Sequence, residues 1–143
     1  MDNLIFGAAY YEEYLPYDRL DQDMKMMVAA GMNTIRIAES TWSVEEPRPG
    51  EYDFHHIDRV IDAASHYGLQ VIVGTPTYAV PHWMVQEDPT VLAITENGAS
   101  QYGTRQNMDI TNSTYRAYAE KIITALVQHT AKHSHVIGYQ IDN

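Results

Sequence analysis

Four short runs rich in isoleucine and valine recur along the chain, Leu4–Ala9, Thr34–Ala38, Leu69–Gly74 and Val136–Ile141. Each is too short for a helix and has the continuous apolar character of a strand buried on both faces. Between them apolar residues recur at helical spacing: Leu20, Met24, Met27 and Val28; then Ile57, Val60, Ile61 and Ala64; then Tyr115, Tyr118, Ala119, Ile122 and Leu126. Gly31 and Gly68 stand where helices would end, and Asp18, Asp53 and Asn112 stand near where they would begin. The order is β-α-β-α-β-α-β. Strands separated by helices run parallel and are joined by right-handed crossovers, so the chain is expected to be an α/β protein with four parallel strands and three helices.

Two architectures share that rhythm, an open doubly wound sheet and a (β/α)8 barrel. The open sheet usually carries a glycine-rich ligand turn after its first strand. Here that turn reads AAYYEEYLP, and neither GxGxxG nor a phosphate-binding loop occurs. The barrel is therefore favoured, although a full barrel takes about 250 residues and eight strands. The 143 residues supply four strands, the first half, and residues 1–143 read as one partial barrel domain ending at the fourth strand.

In barrels the chemistry sits where strands end and helices have not yet begun. After the first strand come Tyr10, Tyr11, Glu12 and Glu13; at the second, Arg36, Glu39 and Trp42; after the third, a connection from Thr75 to Thr111 holding TPTYAVPHWM and TRQNMD; at the fourth, Gln140, Ile141, Asp142 and Asn143. Aromatic faces with carboxylates and amides suit a neutral, hydroxyl-rich ligand such as a sugar, whereas a phosphorylated one would call for basic residues or glycine-rich turns. A net charge of −10 repels phosphate backbones, so no nucleic-acid partner is expected. No stretch approaches the roughly 20 apolar residues of a membrane span, and MDNLIFGAAYYEE lacks the features of a secretion signal, so a cytoplasmic protein with no membrane partner is expected. The absence of cysteine excludes disulfides and thiolate metal sites.

Four segments, GAAYYEE (Gly7–Glu13), RIAESTWSVEEPRPGEYDF (Arg36–Phe54), GTPTYAVPHWM (Gly74–Met84) and GYQIDN (Gly138–Asn143), together resemble the amino-terminal half of the glycoside hydrolase family 42 β-galactosidases. The resemblance implies a (β/α)8 barrel, a galactoside substrate, hydrolysis with retention by two glutamates, and a homotrimer for the intact enzyme. It places the acid/base glutamate directly after an asparagine matched by Asn143, and the nucleophile on the seventh strand, so no catalytic residue is expected within these 143 residues. It also implies substrate contacts for Arg105, within TRQNMDITNSTYR, and for Asn143. One departure stands out: Glu12 occupies a position where the family usually has proline.

Trp42 and Trp83 are candidates for lining the sugar subsite, with loop packing as the alternative. Arg36 and Glu39 are expected to support the site, either by orienting substrate and glutamates or as an ion pair within the rim. Glu12 and Glu13, adjacent in sequence, are not expected to act as a carboxylate pair. His129 and His133, four apart on the last helix, with His135 beyond, are expected to be a solvated helix end; no metal and no cofactor are expected. Two function classes follow, part of a retaining β-galactosidase or a non-catalytic half-barrel that binds sugar or associates with itself. Another retaining β-glycosidase acting on β-glucosides or β-mannosides is the alternative within enzymes.

Overall fold

The four apolar runs form one parallel sheet. The computed structural model describes residues 4–15, 18–103 and 105–142. In chain order the strands are β1 (Gly7–Ala9), β2 (Thr34–Ile37), β3 (Gln70–Gly74), β4 (Ile94–Thr95), β5 (Gly98–Ala99) and β6 (Val136–Gln140), and the helices are α1 (Leu20–Ala29), α2 (Trp42–Glu45), α3 (His55–His66), α4 (His82–Glu87) and α5 (Ser113–Thr130). The main sheet has the order β1-β2-β3-β6, and all its neighbours are parallel. The other two strands make a separate antiparallel hairpin.

Helices α1, α3 and α5 fill the crossovers predicted from the spacing, and their ends are set by local chemistry. Asn112 accepts a hydrogen bond from Tyr115 N at 3.0 Å and caps α5. Asp53 and Asp18 similarly accept from the backbone N–H groups of His55 and Leu20 at the starts of α3 and α1. Past α1 and α3 the chain turns through Gly31 (φ +82°) and Gly68 (φ +72°), a conformation that costs glycine little.

The core lies on one face of the sheet. Ile35 and Ile37 of β2 and Val71 and Val73 of β3 are almost wholly buried, joined by Met24 of α1, Ile57, Val60, Ile61 and Ala64 of α3, and Ile122 and Leu126 of α5. Successive strand residues alternate between faces, so Arg36 and Ile72 look the other way. Both are only half-buried, and all three residues of β1 are exposed. The expectation of strands buried on both faces is thus corrected: helices cover one face, and the other is open.

Three further departures concern the connections. The third one is not irregular; it contains α4, two single turns of 3₁₀ helix at Pro76–Tyr78 and Pro89–Val91, and the β4–β5 hairpin. A short helix, α2, follows β2. The pairing of β3 with β6 shifts between Val71 and Ile72, passing over Ile137 and setting Gly138 and Gln140 opposite Ile72 and Gly74.

Candidate functional site

The ends of β2 and β6 meet through a polar network centred on Arg36. Its Nη1 donates to Gln140 Oε1 at 2.6 Å, its Nη2 donates to the Tyr11 hydroxyl at 2.9 Å, and Nη2 also lies 2.8 Å from Glu39 Oε2. The Tyr11 hydroxyl donates in turn to Glu39 Oε1, and burial, followed by that bond, raises the Tyr11 phenol above its ordinary range. Glu39 is 2% exposed, so its carboxylate would be costly to bury without the guanidinium and phenol beside it.

Backbone geometry brings Glu39 to this position. Ala38 adopts φ +77°, a left-handed turn that alanine takes only at some cost, and it swings the chain sharply at the end of β2. Glu39 then lies over the end of β3, where position 74 is glycine. A Cβ there would come within 2.8 Å of Glu39 Cβ, closer than real Cβ contacts, and within a tight 3.1 Å of Ile37 O. Beside it, Thr75 Oγ1 accepts from Asp142 N at 2.9 Å, and Gln140 Nε2 donates to Asp142 O at 2.8 Å, tying the end of β3 to the residues after β6.

Arg105 stands at the edge of this arrangement. It is exposed, its Nη2 donates to the Tyr14 hydroxyl at 3.0 Å, and its guanidinium lies 5.5 and 5.7 Å from the ring centres of Tyr78 and Tyr14. Tyr14 reaches Ser40 Oγ at 3.0 Å, so the loops after β1, β2 and β3 converge on one arginine. Arg36, Glu39 and Arg105 thus occupy the strand-end face expected of them. Tyr11 and Gln140, which complete the network, had been singled out only as residues of the strand ends. Asn143 lies outside the described residues.

The tryptophans sit elsewhere. Trp42 has no exposed surface, its Nε1 donates to Glu46 Oε2 at 2.7 Å, and its ring lies 6.1 Å from that of Tyr115. A side chain with no accessible face cannot cover a sugar, so its expected subsite role gives way to the packing alternative. Trp83 is half-buried, donates Nε1 to Glu46 O at 2.8 Å and packs edge-on against Tyr118 of α5. It too joins the segment after β3 to the helical layer.

Glu12 and Glu13 form part of a single 3₁₀ turn and do not face each other as a reacting pair. Glu12 bonds Arg59 of α3, and the two carboxylates lie 3.6 Å from opposite nitrogens of His56. The glutamate at this unusual position therefore fastens the first loop to α3.

The family model for glycoside hydrolase family 42, described as beta-galactosidase, matches residues 9–143. The chain belongs to this β-galactosidase family. Relatives of the family 42 chain include the beta-galactosidase of Thermus thermophilus, 33% identical over 140 residues, and BgaA of Clostridium cellulovorans, 33% identical over 138. These matches cover 97% and 96% of this chain but 22% and 21% of the relatives, so the chain spans about a fifth of their length. Among solved structures, the cold-adapted beta-galactosidase of Rahnella sp. R3 superposes with a TM-score of 0.92 at 32% identity, covering all of this chain and 22% of that one. The beta-galactosidase of the psychrophilic Marinomonas ef1 gives 0.89 at 33%, covering 96% and 21%. The four-stranded sheet is accordingly the amino-terminal part of the family 42 (β/α)8 barrel. No helix among the described residues is long and apolar enough to cross a membrane.

Proposed function

We propose that this chain is the amino-terminal half of the catalytic barrel of a retaining β-galactosidase, and that its share of the work is to hold the sugar. The observation that carries the reading is the strand-end network of Tyr11, Arg36, Glu39 and Gln140 with Arg105 beside it, in a chain of the β-galactosidase family. A retaining glycosidase sets two carboxyl groups about 5–5.5 Å apart, one to protonate the leaving oxygen and one to attack the anomeric carbon. Within these residues Glu39 is held by Arg36 and Tyr11, Glu12 by Arg59, and Glu13 lies 3.6 Å from His56, and the family resemblance gives none of them a catalytic role. Both catalytic glutamates are assigned to the remainder of the barrel, the acid/base directly after Asn143.

In this scheme the guanidinium of Arg36 and the phenol of Tyr11 hold Glu39 in place beneath the reacting sugar, Asn143 holds a hydroxyl next to the anomeric carbon, and Arg105 binds a hydroxyl farther out. The intact enzyme would act on terminal β-D-galactosides in the cytoplasm, as a homotrimer. The test is an assay of chromogenic β-galactosides, β-glucosides and β-mannosides on the polypeptide that contains the complete barrel, and on the 143 residues alone. The complete protein should prefer the galactoside and release a β-configured sugar, seen by NMR, and the 143 residues should be inactive. Replacing Arg105 by alanine in the complete protein should lower kcat/KM by the equivalent of about 1.5–3 kcal/mol, the cost of losing a hydrogen bond from a charged donor. Unchanged kcat/KM in a folded variant would remove Arg105 from the site.

One observation favours association of the chain with itself as a second property. Leu4, Ile5 and Phe6 just before β1, Ile137 of β6 and Ile141 just after it are exposed along the two outer edges of the main sheet. Light scattering after size exclusion would reveal a dimer, and a monodisperse monomer would set this property aside.

A further inference from the structure

Asp58 of α3, His129 of α5 and His133 of the turn between α5 and β6 converge on the helical side of the sheet, sharing no residue with the strand-end network. One ligand-type atom from each lies within 4.8 Å of the others. His129 Nε2 is 2.6 Å from Asp58 Oδ1, and His133 Nε2 is 3.6 Å from the same oxygen. His129 sits in the last turn of α5, the turn after it, closed by His133 N donating to Thr130 O at 3.0 Å, brings His133 back beside it with the two rings 6.3 Å apart, and α3 brings up the carboxylate. These histidines were expected to form a solvated helix end. Instead their side chains are 26% and 22% exposed, and the ring of Phe54, 4.9 Å from that of His129, covers one side.

Two features distinguish this group from a simple ion pair. His133 Nε2 is buried and has no hydrogen-bond partner among the described residues, since 3.6 Å to Asp58 is too long for one. A buried ring nitrogen aimed at a carboxylate that another imidazole already shares is otherwise a cost without return. The spacing also approaches that of a coordination sphere. Donors bound to zinc at about 2.0–2.2 Å in tetrahedral geometry stand about 3.3–3.6 Å apart, a separation that His133 Nε2 and Asp58 Oδ1 already have at 3.6 Å and that the other pairs reach by shifts of about an ångström.

We propose that Asp58, His129 and His133 form a binding site for a divalent transition-metal ion of the zinc class. Two neutral imidazoles and one carboxylate match the preferences of Zn²⁺ and Co²⁺, with water completing the sphere on the partly exposed side. Binding requires a lone pair at His129 Nε2, so the proton that this nitrogen shares with Asp58 leaves and the ring keeps its proton at Nδ1. The ion would fasten α3 to α5 and act as a structural clamp.

The experiment is calorimetric titration of the untagged protein with Zn²⁺, with Co²⁺ absorption as a second probe. A single saturable site is expected, with a rise in Tm on adding Zn²⁺ and the visible bands of Co²⁺ bound to nitrogen and oxygen. His133→Ala, which leaves the pairing of His129 with Asp58 intact, and Asp58→Asn should each weaken Zn²⁺ binding by about tenfold or more and abolish the Tm rise. His66→Ala, a change at an exposed histidine outside the group, should leave both intact. Absence of a saturable site, or binding undiminished in both variants with far-UV circular dichroism unchanged, would overturn the proposal and leave Asp58 and the two histidines as an ion pair only.

Discussion

Glu45 offers the sharpest test of the energetics around the second strand. Its side chain has no exposed surface, and burial, reinforced by the negative charge of Glu13, pushes its carboxyl up from 4.5 to about 8. The Thr41 hydroxyl, which also reaches Ala38 O at 2.8 Å, donates to Glu45 Oε1 and favours the carboxylate, opposing the effect of burial without cancelling it. At neutral pH Glu45 is therefore protonated in the folded chain and ionised in the unfolded one. Between 4.5 and about 8 the folded state binds more protons, and stability falls as pH rises. At 1.36 kcal/mol per tenfold change the full difference is on the order of 5 kcal/mol, of which about 3–4 kcal/mol is lost between pH 5 and 8. Glu45→Gln keeps the shape and cannot ionise. Urea unfolding followed by circular dichroism at pH 5 and pH 8 should show the wild type losing about 3–4 kcal/mol more than the variant across that interval. Equal losses in the two proteins would mean that Glu45 is ionised when folded, and the account of its burial would be wrong.

Two other substitutions test the local geometry. Gly74→Ala places a methyl group 2.8 Å from Glu39 Cβ and should cost about 1–3 kcal/mol, the range for overpacking a buried site, read as a lower urea midpoint. Asn112→Ala removes the cap of α5 and should cost about 1 kcal/mol in the same measurement, together with faster amide exchange at Tyr115.

The main elements were legible because two periods speak clearly in this sequence. Runs such as Thr34–Ile37 and Gln70–Gly74 are too short and too rich in branched residues to be anything but strands, and the apolar spacing in α3 and α5 defines their buried faces. Helices α2 and α4, of four and six residues, are shorter than the span over which a helical period can show itself. The β4–β5 hairpin carried a signal in Asn97-Gly98, the preferred composition of a tight hairpin turn, inside a connection expected to be a loop. Charged residues were harder to place than apolar ones. Nothing in the spacing of Arg36 and Gln140, 104 positions apart, links them; only the pairing of β2 with β3 and of β3 with β6 does. Trp42 misled because an aromatic in a strand-end segment serves a ligand or a core equally well, and the burial that decides between them depends on Tyr115, far along the chain.

The segment between β3 and α5 is moored along its length. Tyr115 donates to Thr77 O, Trp83 to Glu46 O, Tyr118 to Glu87, Thr114 to Asp88, and Asn112 to Thr90. A residue displayed on such a segment has already surrendered most of its conformational freedom during folding. Arg105 is braced further by Tyr14 and Tyr78, so in the role proposed for it a sugar hydroxyl would be met by a guanidinium with little entropy left to lose, and the cost of ordering that side chain would fall on folding and not on binding.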